Sequence, residues 1–240
     1  IAMSEYIIGC IISLSIDLLA NHNDFKSGSW EKTGTLSDPK SMHGEVFGKV
    51  LGIIGYGQIG IETAIRAKSL GMKTYGINRT EKKNTSQYLD WHGSLGELDF
   101  ILKESDYLVL ACDLNESTKG LINKRTLSIM KKTAYLINVA RGDICVEEDL
   151  FNSLKNKNIA GAAIDTWWIY PDRPKKGDKA EKAPRPSDYP FHKLDNVIMT
   201  PHNSAHTLEA DLRRSKSILH NLLDFKKGKK PSGFVFYGNK

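Results

Sequence analysis

The sequence lacks several features that would assign it to a specialised class of protein. Only three of its 240 residues are cysteines, and these lie far apart with no Cys-x-x-Cys pair. This spacing argues against a zinc site and against a disulfide framework, and it indicates a reducing compartment. A chain of this length buries enough apolar surface to fold without such cross-links. No metal site is therefore predicted.

Long apolar runs are also absent. The most apolar stretch, Tyr6–Leu19, is interrupted by Ser13, Ser15 and Asp17. It is too short and too polar to span a bilayer, and it lacks the basic flank of a signal peptide. We therefore expect a cytoplasmic protein that does not act at a membrane.

The chain has little excess of either charge. It contains 34 lysines and arginines against 28 aspartates and glutamates, a net charge of +6. The excess lies mainly in two polar segments, residues 173–185 and 226–230. Neither has interleaved aromatic residues or a nucleic-acid-binding motif, so both are interpreted as solvated surface. No nucleic-acid partner is predicted.

What the sequence does contain is an alternation of apolar strands with amphipathic helices. A wide apolar stripe predicts a helix over residues 4–20, followed by a polar loop. From Lys49 onward, the alternation is typical of right-handed βαβ crossovers and predicts an α/β fold with a doubly wound parallel sheet. Six strands are predicted, at residues 50–54, 73–77, 107–110, 134–139, 159–164 and 197–199, and further helices at 59–70, 126–130, 146–155 and 208–225.

A glycine-rich loop, G-x-G-x-x-G, directly follows the first of these strands and opens the next helix. Gly55 permits a tight turn, Gly57 lets the backbone approach a pyrophosphate, and Gly60 allows the helix to pack closely on the strand. The free N–H groups at Gln58 and Ile59 would then face the phosphates. The strand–loop–helix setting predicts a Rossmann-type dinucleotide site, although a tight turn that merely needs glycine remains the alternative.

The end of the second strand indicates which dinucleotide is bound. An acidic residue there would accept hydrogen bonds from the adenosine ribose and repel a 2′-phosphate. This chain instead has Asn78, Arg79 and Thr80. A guanidinium in place of a carboxylate favours the extra phosphate, so NADP is predicted, with NAD as the alternative.

Four motifs in the same order resemble the D-isomer-specific 2-hydroxyacid dehydrogenases, the group that includes glycerate, phosphoglycerate and glyoxylate/hydroxypyruvate reductases. The motifs are Gly48–Gly60, Ser105–Asn123, Met130–Gly142 and Asn196–His202. The resemblance covers nearly the whole chain. It implies a Rossmann-type fold with helices on both faces of the sheet, a nicotinamide cofactor and a homodimer formed through the nucleotide-binding domain.

The resemblance also implies roles for individual residues. Arg141 would hold the substrate carboxylate and keto oxygen, a contact that suits its planar fork. His202 would donate a proton to the carbonyl oxygen while hydride arrives from the nicotinamide. Asp165 would hydrogen-bond the nicotinamide carboxamide. Residues expected to line the cofactor are Gln58, Ile59, Cys112, Val139 and Ala140. His202 and His206 have a zinc-compatible spacing, but no third ligand is apparent.

The chain departs from the family pattern at one site position. The family usually has a glutamate just before a proline, five residues beyond the aspartate, and this glutamate pairs with the catalytic histidine. Tyr170 stands there instead, and a neutral phenol orients an imidazole but does not stabilise its charged form as a carboxylate does. We hypothesise that His202 relies on Tyr170, or that Asp172 or Glu181 reaches in from the adjoining loop.

A second departure concerns domain organisation. Family members have a substrate domain built from an N-terminal segment and the C-terminal tail, whereas this chain starts at the helix that leads into the nucleotide-binding domain. Residues 1–205 are therefore expected to form the dinucleotide-binding domain. Residues 206–240 are expected to be a helix and tail that return to a substrate domain whose N-terminal part is absent.

The predicted function is NADP-dependent interconversion of a short 2-keto acid, of the glyoxylate or hydroxypyruvate type, and its D-2-hydroxy acid. Two alternatives remain open. One is hydride transfer resembling that of formate dehydrogenase, which also lacks the glutamate. The other is a non-enzymatic NAD(P)-sensing protein that resembles the corepressors of the same family.

Overall fold

The computed structural model describes residues 1–28, 42–79, 87–171 and 185–232. Within these residues the chain forms two compact units, Met3–Ser204 and a second unit that starts at Ala205. Three of the predicted positions, Thr80, Asp172 and Glu181, lie outside the described residues, as does nearly all of the basic segment 173–185.

The N-terminal helix is shorter than predicted. The structure has α1 (Ala2–Ser15) and α2 (Leu18–Lys26) in place of one helix over residues 4–20, so that prediction is wrong in its last turns. Asp17 has a φ of 51°, in the left-handed region that a continuous α-helix does not contain. The Asn21 side chain donates to the Ile16 carbonyl at 2.9 Å and thereby satisfies a backbone group at the break.

The break separates two helices of different character. α1 packs on the sheet and fully buries Ile7 and Ile11, whereas α2 has no buried residue and leaves Leu18 and Leu19 half exposed. In the part of the chain that the structure describes, no single helix is long and apolar enough to cross a membrane. The pair α1–α2 meets the length and hydropathy criterion only when taken together, and it bends by 61°.

The described residues form a seven-stranded sheet in the order β3-β2-β1-β4-β5-β6-β7, and every neighbouring pair is parallel. This confirms the predicted α/β fold, a doubly wound parallel sheet of Rossmann type. The strands are β1 (Val50–Ile54), β2 (Lys73–Asn78), β3 (Trp91–Ser94), β4 (Tyr107–Leu110), β5 (Tyr135–Asn138), β6 (Gly161–Ile164) and β7 (Val197–Met199).

One strand, β3, was not predicted from the sequence. It is a four-residue strand, Trp-His-Gly-Ser, at the edge of the sheet and pairs with β2 alone. Because an edge strand is covered less completely than a central one, β3 has no apolar run, and apolar runs were the signal that identified the other six.

Helices cover both faces of the sheet. Residues of α4 (Leu98–Glu104), α5 (Lys124–Ile129) and α6 (Glu147–Lys155) join one apolar cluster, and residues of α1 and α3 (Gln58–Ser69) join the other. Along β1 the side chains alternate, since Leu51 and Ile53 enter the second cluster and Ile54 the first. This two-sided burial explains why the central strands are apolar throughout.

The second unit contains α7 (Leu208–Lys226). Thr207 caps this helix by accepting a hydrogen bond from the Ala210 N–H at 3.0 Å. None of its residues is buried, and Leu208, Leu219 and Phe225 are among its exposed apolar side chains.

The strand order places a crevice at a defined point. Connections from β1 lead to β2 on one side, whereas β4 lies on its other side, so β1 and β4 form the topological switch of the sheet. In open α/β sheets, ligands bind outside the carboxyl ends of the strands at such a switch. The glycine-rich loop follows the carboxyl end of β1 and therefore lies at this point.

Candidate active site

The glycine loop (Gly55–Gly60) starts with a residue that only glycine can occupy. Gly55 has a φ of +98°, which side-chain-bearing residues rarely adopt. A Cβ built on it would lie 2.5 Å from the Cys112 backbone nitrogen and 2.6 Å from the Ala111 carbonyl carbon. The loop therefore turns in contact with the backbone that follows β4.

The other two glycines serve different purposes. A Cβ on Gly60 would lie 2.9 Å from the Gly55 carbonyl oxygen and 3.1 Å from Cγ2 of Ile53, so glycine is needed for α3 to approach β1. A Cβ on Gly57 would meet no atom within 4 Å. Nothing inside the described chain requires glycine at position 57, and the open space in front of its backbone is where a ligand could approach.

A cavity of about 560 Å³ opens beside this loop. Seven of the predicted cofactor residues line it, and Gly60 lies beneath it in the contact between α3 and β1. Val139, Ala140 and Asp165 are buried and do not line it. The lining residues that were predicted are Gly55, Gly57, Gln58, Ile59, Asn78, Arg79 and Cys112. The lining residues that were not predicted are Ile54, Tyr56, Ile77, Leu95, Ala111, Asp113, Asn115, Ser117 and Thr118.

The polar part of this unassigned wall has a sequence signal that would have identified it. Asp113, Asn115, Ser117 and Thr118 follow β4, the strand next to β1 at the topological switch. Asn115 and Thr118 hold this segment in shape, because the Asn115 N–H donates to Thr118 Oγ1 at 2.8 Å. The carboxyl ends of neighbouring parallel strands meet at one edge, so the segment after β4 faces the glycine loop.

Asn78 contacts the glycine loop as well as the cavity. The Tyr56 N–H donates to Asn78 Oδ1 at 2.8 Å. This bond orients the carboxamide so that its Nδ2 faces His92 Nε2 at 3.4 Å, and a neutral His92 would accept there. The sequence analysis assigned Asn78 to the cofactor alone, and His92 was missed because it lies on the unpredicted strand β3.

Arg79 lies at the rim of the cavity, exposed to solvent. Among the described residues it forms no ion pair, so its guanidinium is available to a ligand. Cys112 is partly buried in the same wall, and burial raises the pKa of its thiol to about 11. The thiol is therefore protonated at neutral pH, and it is a weak nucleophile.

Arg141 lies just beyond the carboxyl end of β5. Asn138 shapes this turn, since its Nδ2 donates to the Arg141 carbonyl at 2.9 Å and its Oδ1 accepts from the Ala140 N–H at 3.0 Å. The Arg141 side chain is exposed, and its Nη1 donates to the Ala140 carbonyl at 2.6 Å. Gly142 follows because a Cβ there would lie 2.5 Å from the Trp167 carbonyl group.

His202 lies in the segment Thr200–Ser204, which follows β7 and is termed the His202 loop below. Asp165, fully buried at the end of β6, accepts from the Asn203 N–H at 2.9 Å and the Ser204 N–H at 3.0 Å. Trp167 Nε1 donates to the Thr200 carbonyl at 2.9 Å. Because the Asp165 carboxylate is engaged inside the protein, its predicted contact with a nicotinamide carboxamide stays a prediction.

Tyr170 lies beside His202. The centroids of the two rings are 5.5 Å apart, with an angle of 59° between the ring planes. The Tyr170 hydroxyl accepts a hydrogen bond from the Trp167 N–H at 3.0 Å. The hypothesis that His202 relies on Tyr170 stays a prediction, and the contact in the structure is between the two rings.

Arg141, Asp165 and His202 follow three consecutive strands of the sheet, β5, β6 and β7. Since all three strands are parallel, these residues share the edge that also carries the glycine loop. Neighbouring strands are about 4.8 Å apart, which separates the ends of β5 and β7 by roughly 10 Å. In the described ranges, no group of three or more His, Cys, Asp or Glu side chains could hold a metal ion.

Comparison with known families agrees with this arrangement. The model of the NAD-binding domain of D-isomer specific 2-hydroxyacid dehydrogenases matches residues 8–204, most of the chain. The chain belongs to this family. The match includes the glycine loop, Arg141, Asp165 and the whole His202 loop.

Individual dehydrogenases and reductases resemble it as well. The chain is 32% identical to a glyoxylate reductase of Pyrococcus furiosus over 235 residues, which cover 98% of this chain and 65% of the reductase. A solved acyclic imino acid reductase in complex with NADPH and D-Arg aligns with a TM-score of 0.78 at 26% identity, over 98% of this chain and 67% of that one. The NAD complex of a D-isomer specific 2-hydroxyacid dehydrogenase from Lactobacillus delbrueckii ssp. bulgaricus aligns with a TM-score of 0.77 at 27% identity. The alignment covers 98% of this chain and 69% of that one.

The chain spans 58–66% of the length of the glyoxylate reductases that it matches. Within that part, the residues present fit a nicotinamide dinucleotide. The open space at Gly57 and the cavity beside it leave room for a pyrophosphate at the N-terminus of α3, where free N–H groups and the helix dipole favour anions.

Proposed function

We propose that the protein reduces a short 2-keto acid, of the glyoxylate or hydroxypyruvate type, to its D-2-hydroxy acid with NADPH, and that it catalyses the reverse reaction. The observation that carries this proposal is the common edge of the sheet, where a glycine-bounded cavity, a guanidinium and an imidazole follow the ends of β1, β5 and β7. Similarity to glyoxylate reductases supports the choice of substrate class.

The glycine loop would hold the cofactor phosphates on the N–H groups at the start of α3. When bound, the nicotinamide supplies or accepts the hydride. Cys112 and Ile59 line the cavity and would contact the bound cofactor. The Val139–Ala140 segment would approach the cofactor from the end of β5, next to Arg141.

Arg141 would bind the substrate carboxylate through two parallel N–H donors. This contact places the keto carbon at the carboxyl edge of the sheet, and Asn138 fixes the turn from which the guanidinium extends. The bond from Arg141 Nη1 to the Ala140 carbonyl leaves the other guanidinium nitrogens free for an anion.

His202 would donate a proton to the carbonyl oxygen in reduction and take it back in oxidation. An imidazole suits this exchange, because its ordinary pKa near 6.5 makes both forms accessible at neutral pH. The neighbouring Tyr170 ring would restrict the rotation of the imidazole, a positional role in place of the charge that the family's glutamate supplies.

The preference for NADPH rests on the end of β2. Arg79 lies at the cavity rim, and none of the described residues at the end of β2 is acidic. Asn78 is bound to the Tyr56 N–H, so it supports the glycine loop and adds no negative charge. A guanidinium in this position would form charge-assisted hydrogen bonds with a 2′-phosphate.

Two titrations test this preference. Replacing Arg79→Gln should weaken NADPH binding about 10-fold and leave NADH binding nearly unchanged, the loss expected for one charge-assisted contact. Quenching of tryptophan fluorescence measures both affinities. Equal losses for NADPH and NADH would show that Arg79 does not read the 2′-phosphate.

Turnover is tested by absorbance at 340 nm with NADPH and a panel containing glyoxylate, hydroxypyruvate, pyruvate and phenylpyruvate. Chiral chromatography of the product should then show the D-2-hydroxy acid where the product is chiral. Oxidation of formate by NADP in the same assay would favour the formate-dehydrogenase-like alternative. Cofactor binding without turnover of any substrate would favour the sensor, to which Tyr170 lends support because it replaces a catalytic carboxylate.

We also propose that the nucleotide-binding unit forms a homodimer and that α7 belongs to a separate substrate domain. Exposed apolar side chains support both, since Leu18, Leu19 and Phe25 lie uncovered on α2 and Leu208 and Leu219 on α7. Light scattering after size-exclusion chromatography tests the dimer, and Leu19→Glu should shift it to monomer.

A further inference from the structure

A side chain of α1 contacts the His202 loop. The Tyr6 hydroxyl lies 2.6 Å from Oγ1 of Thr200, although the two residues are 194 positions apart. Thr200 Oγ1 lies 2.6 Å from Oδ1 of Asp165. The three side chains form a continuous hydrogen-bonded chain from α1 to the end of β6.

The hydrogen bonds that join Tyr6, Thr200 and Asp165 have a defined donor and acceptor at each step. Asp165 accepts from the Thr200 hydroxyl and from two N–H groups of the His202 loop, as an ionised carboxylate does. Thr200 has one hydroxyl proton and gives it to Asp165, so the Tyr6 hydroxyl must donate to Thr200. Burial raises the pKa of Tyr6 above its ordinary value, and Tyr6 therefore stays protonated and remains a donor.

The His202 loop, which these hydrogen bonds hold, has a backbone conformation that needs support. His202 has a φ of 58°, in the left-handed region that few residues other than glycine adopt, although histidine is found there more often than most. Such a conformation persists when the flanking residues are fixed. Here Thr200 is fixed on one side and Asn203 and Ser204 on the other, and the Asp165 carboxylate contacts all three.

We propose that Tyr6 is a positioning residue for His202, acting through Thr200 and Asp165 to hold the imidazole where it exchanges a proton with the substrate. This proposal rests on the function proposed above, in which His202 is the proton donor. Tyr6 lies in α1, does not line the cavity beside the glycine loop, and acts through its hydroxyl group.

The helix that carries Tyr6 is held independently of this hydroxyl. Ile7 and Ile11 of α1 are fully buried, so apolar packing keeps the helix on the sheet. Replacing Tyr6→Phe therefore removes one donor and keeps the ring. Tyr107→Phe is the matched control, because Tyr107 is buried in the apolar cluster against which the partly buried Tyr6 packs. It stacks on Tyr135 at the amino end of β4, with ring centroids 5.5 Å apart.

The first experiment needs no catalysis. Amide hydrogen exchange of the 240-residue chain, measured without cofactor, should be about 3- to 10-fold faster at Asn203 and Ser204 in Tyr6→Phe than in the wild type, the change expected from one lost hydrogen bond. Tyr107→Phe should leave these two amides unchanged. Equal exchange in the two variants would overturn the proposal.

The second experiment measures turnover in a double-mutant cycle. Tyr6→Phe should lower kcat about 3- to 10-fold while KM for NADPH changes by less than about twofold. In a Thr200→Val background, Tyr6→Phe should lower kcat no further, because the hydroxyl that accepts from Tyr6 is gone. In a Thr200→Ser background, which keeps that hydroxyl, Tyr6→Phe should lower kcat as much as it does in the wild type. Equal losses in both backgrounds would overturn the proposal.

The two experiments separate this inference from the proposed function. If the wild-type protein turns over none of the keto acids, the proposed function fails. The exchange rates at Asn203 and Ser204 still decide whether Tyr6 holds the loop.

Discussion

The glycine loop and the His202 loop share one edge of the sheet but are built in opposite ways. The glycine loop is open and consists of six consecutive residues, and its shape depends on what its residues lack, a Cβ at Gly55 and at Gly60. The His202 loop depends on what its neighbours supply, a buried carboxylate from β6, an indole N–H from Trp167 and a hydroxyl chain from α1.

The difference teaches how each loop relates to the sequence. A loop defined by absent side chains is specified locally, so substitutions within it should have sharp and separable effects. A loop defined by contacts from two distant segments, residues 165–167 and α1, is specified by the fold, so substitutions far along the chain should affect it. Substitutions in the glycine loop should therefore have larger effects than substitutions around the His202 loop.

Gly55 and Gly57 should separate folding from cofactor binding. Gly55→Ala combines a φ of +98° with overlap on the Cys112 backbone, so we expect a loss of about 3 kcal/mol in the free energy of unfolding. Gly57→Ala adds a methyl group in open space, so the protein should keep its stability but bind NADPH roughly 10- to 100-fold more weakly.

Urea denaturation and fluorescence titration measure these two effects. If Gly57→Ala lowers the free energy of unfolding as much as Gly55→Ala does, the space in front of Gly57 is not open as the structure indicates. If it binds NADPH as the wild type does, the open space at Gly57 is not the phosphate site.

Arg141→Lys tests whether the end of β5 needs a planar fork. Lysine keeps the charge but cannot donate two parallel hydrogen bonds, so kcat/KM for the keto acid should fall about 100-fold, with NADPH affinity unchanged. Steady-state kinetics with glyoxylate and a parallel NADPH titration measure both quantities. Arg125→Lys is the control, since Arg125 pairs with Asp99 on the surface. Full activity in Arg141→Lys would contradict two-point binding.

Tyr170 variants test whether contact with His202 includes a charge effect. In Tyr170→Glu a carboxylate near the imidazole should stabilise its protonated form. Because the proposed reduction needs that form, the fall in rate at high pH should move to higher pH. Tyr170→Phe keeps the ring, and its profile should stay close to the wild type. Identical pH–rate profiles for all three proteins would contradict any electrostatic coupling at this position.

The reactivity of Cys112 tests whether the cavity wall beside the glycine loop is closed, and the expected effect is the smallest of these. Since burial raises the pKa of its thiol to about 11, alkylation by iodoacetamide should be slow at pH 8 and accelerate about tenfold per pH unit toward pH 10. NADPH should slow it further by filling the cavity. Peptide mass mapping follows the modification, with the fully buried Cys145 as the internal control. Rapid alkylation at pH 7 would show that the wall is open.

The sequence predicted the central sheet well because buried parallel strands carry apolar runs that local pattern reveals. It placed six of seven strands and missed β3, whose four residues contain no such run. It extended the first helix too far, since the apolar stripe continues past Ser15 while the helix breaks and the chain bends by 61° at Asp17. The pattern of apolar side chains does not reveal that a single residue, Asp17, has a left-handed φ.

At the candidate site, the glycine loop could be predicted from the sequence because glycine geometry is a property of the residues themselves. The roles of Arg141 after β5 and His202 after β7 were predicted from the resemblance to the family, and they stay predictions. The tertiary structure alone decided that Asn78 supports the loop through Tyr56, that Asp165 is enclosed, and that Tyr6 reaches Thr200. These contacts join residues 22, 35 and 194 positions apart. Only the packing of strands and helices sets such distances, and no local pattern encodes them.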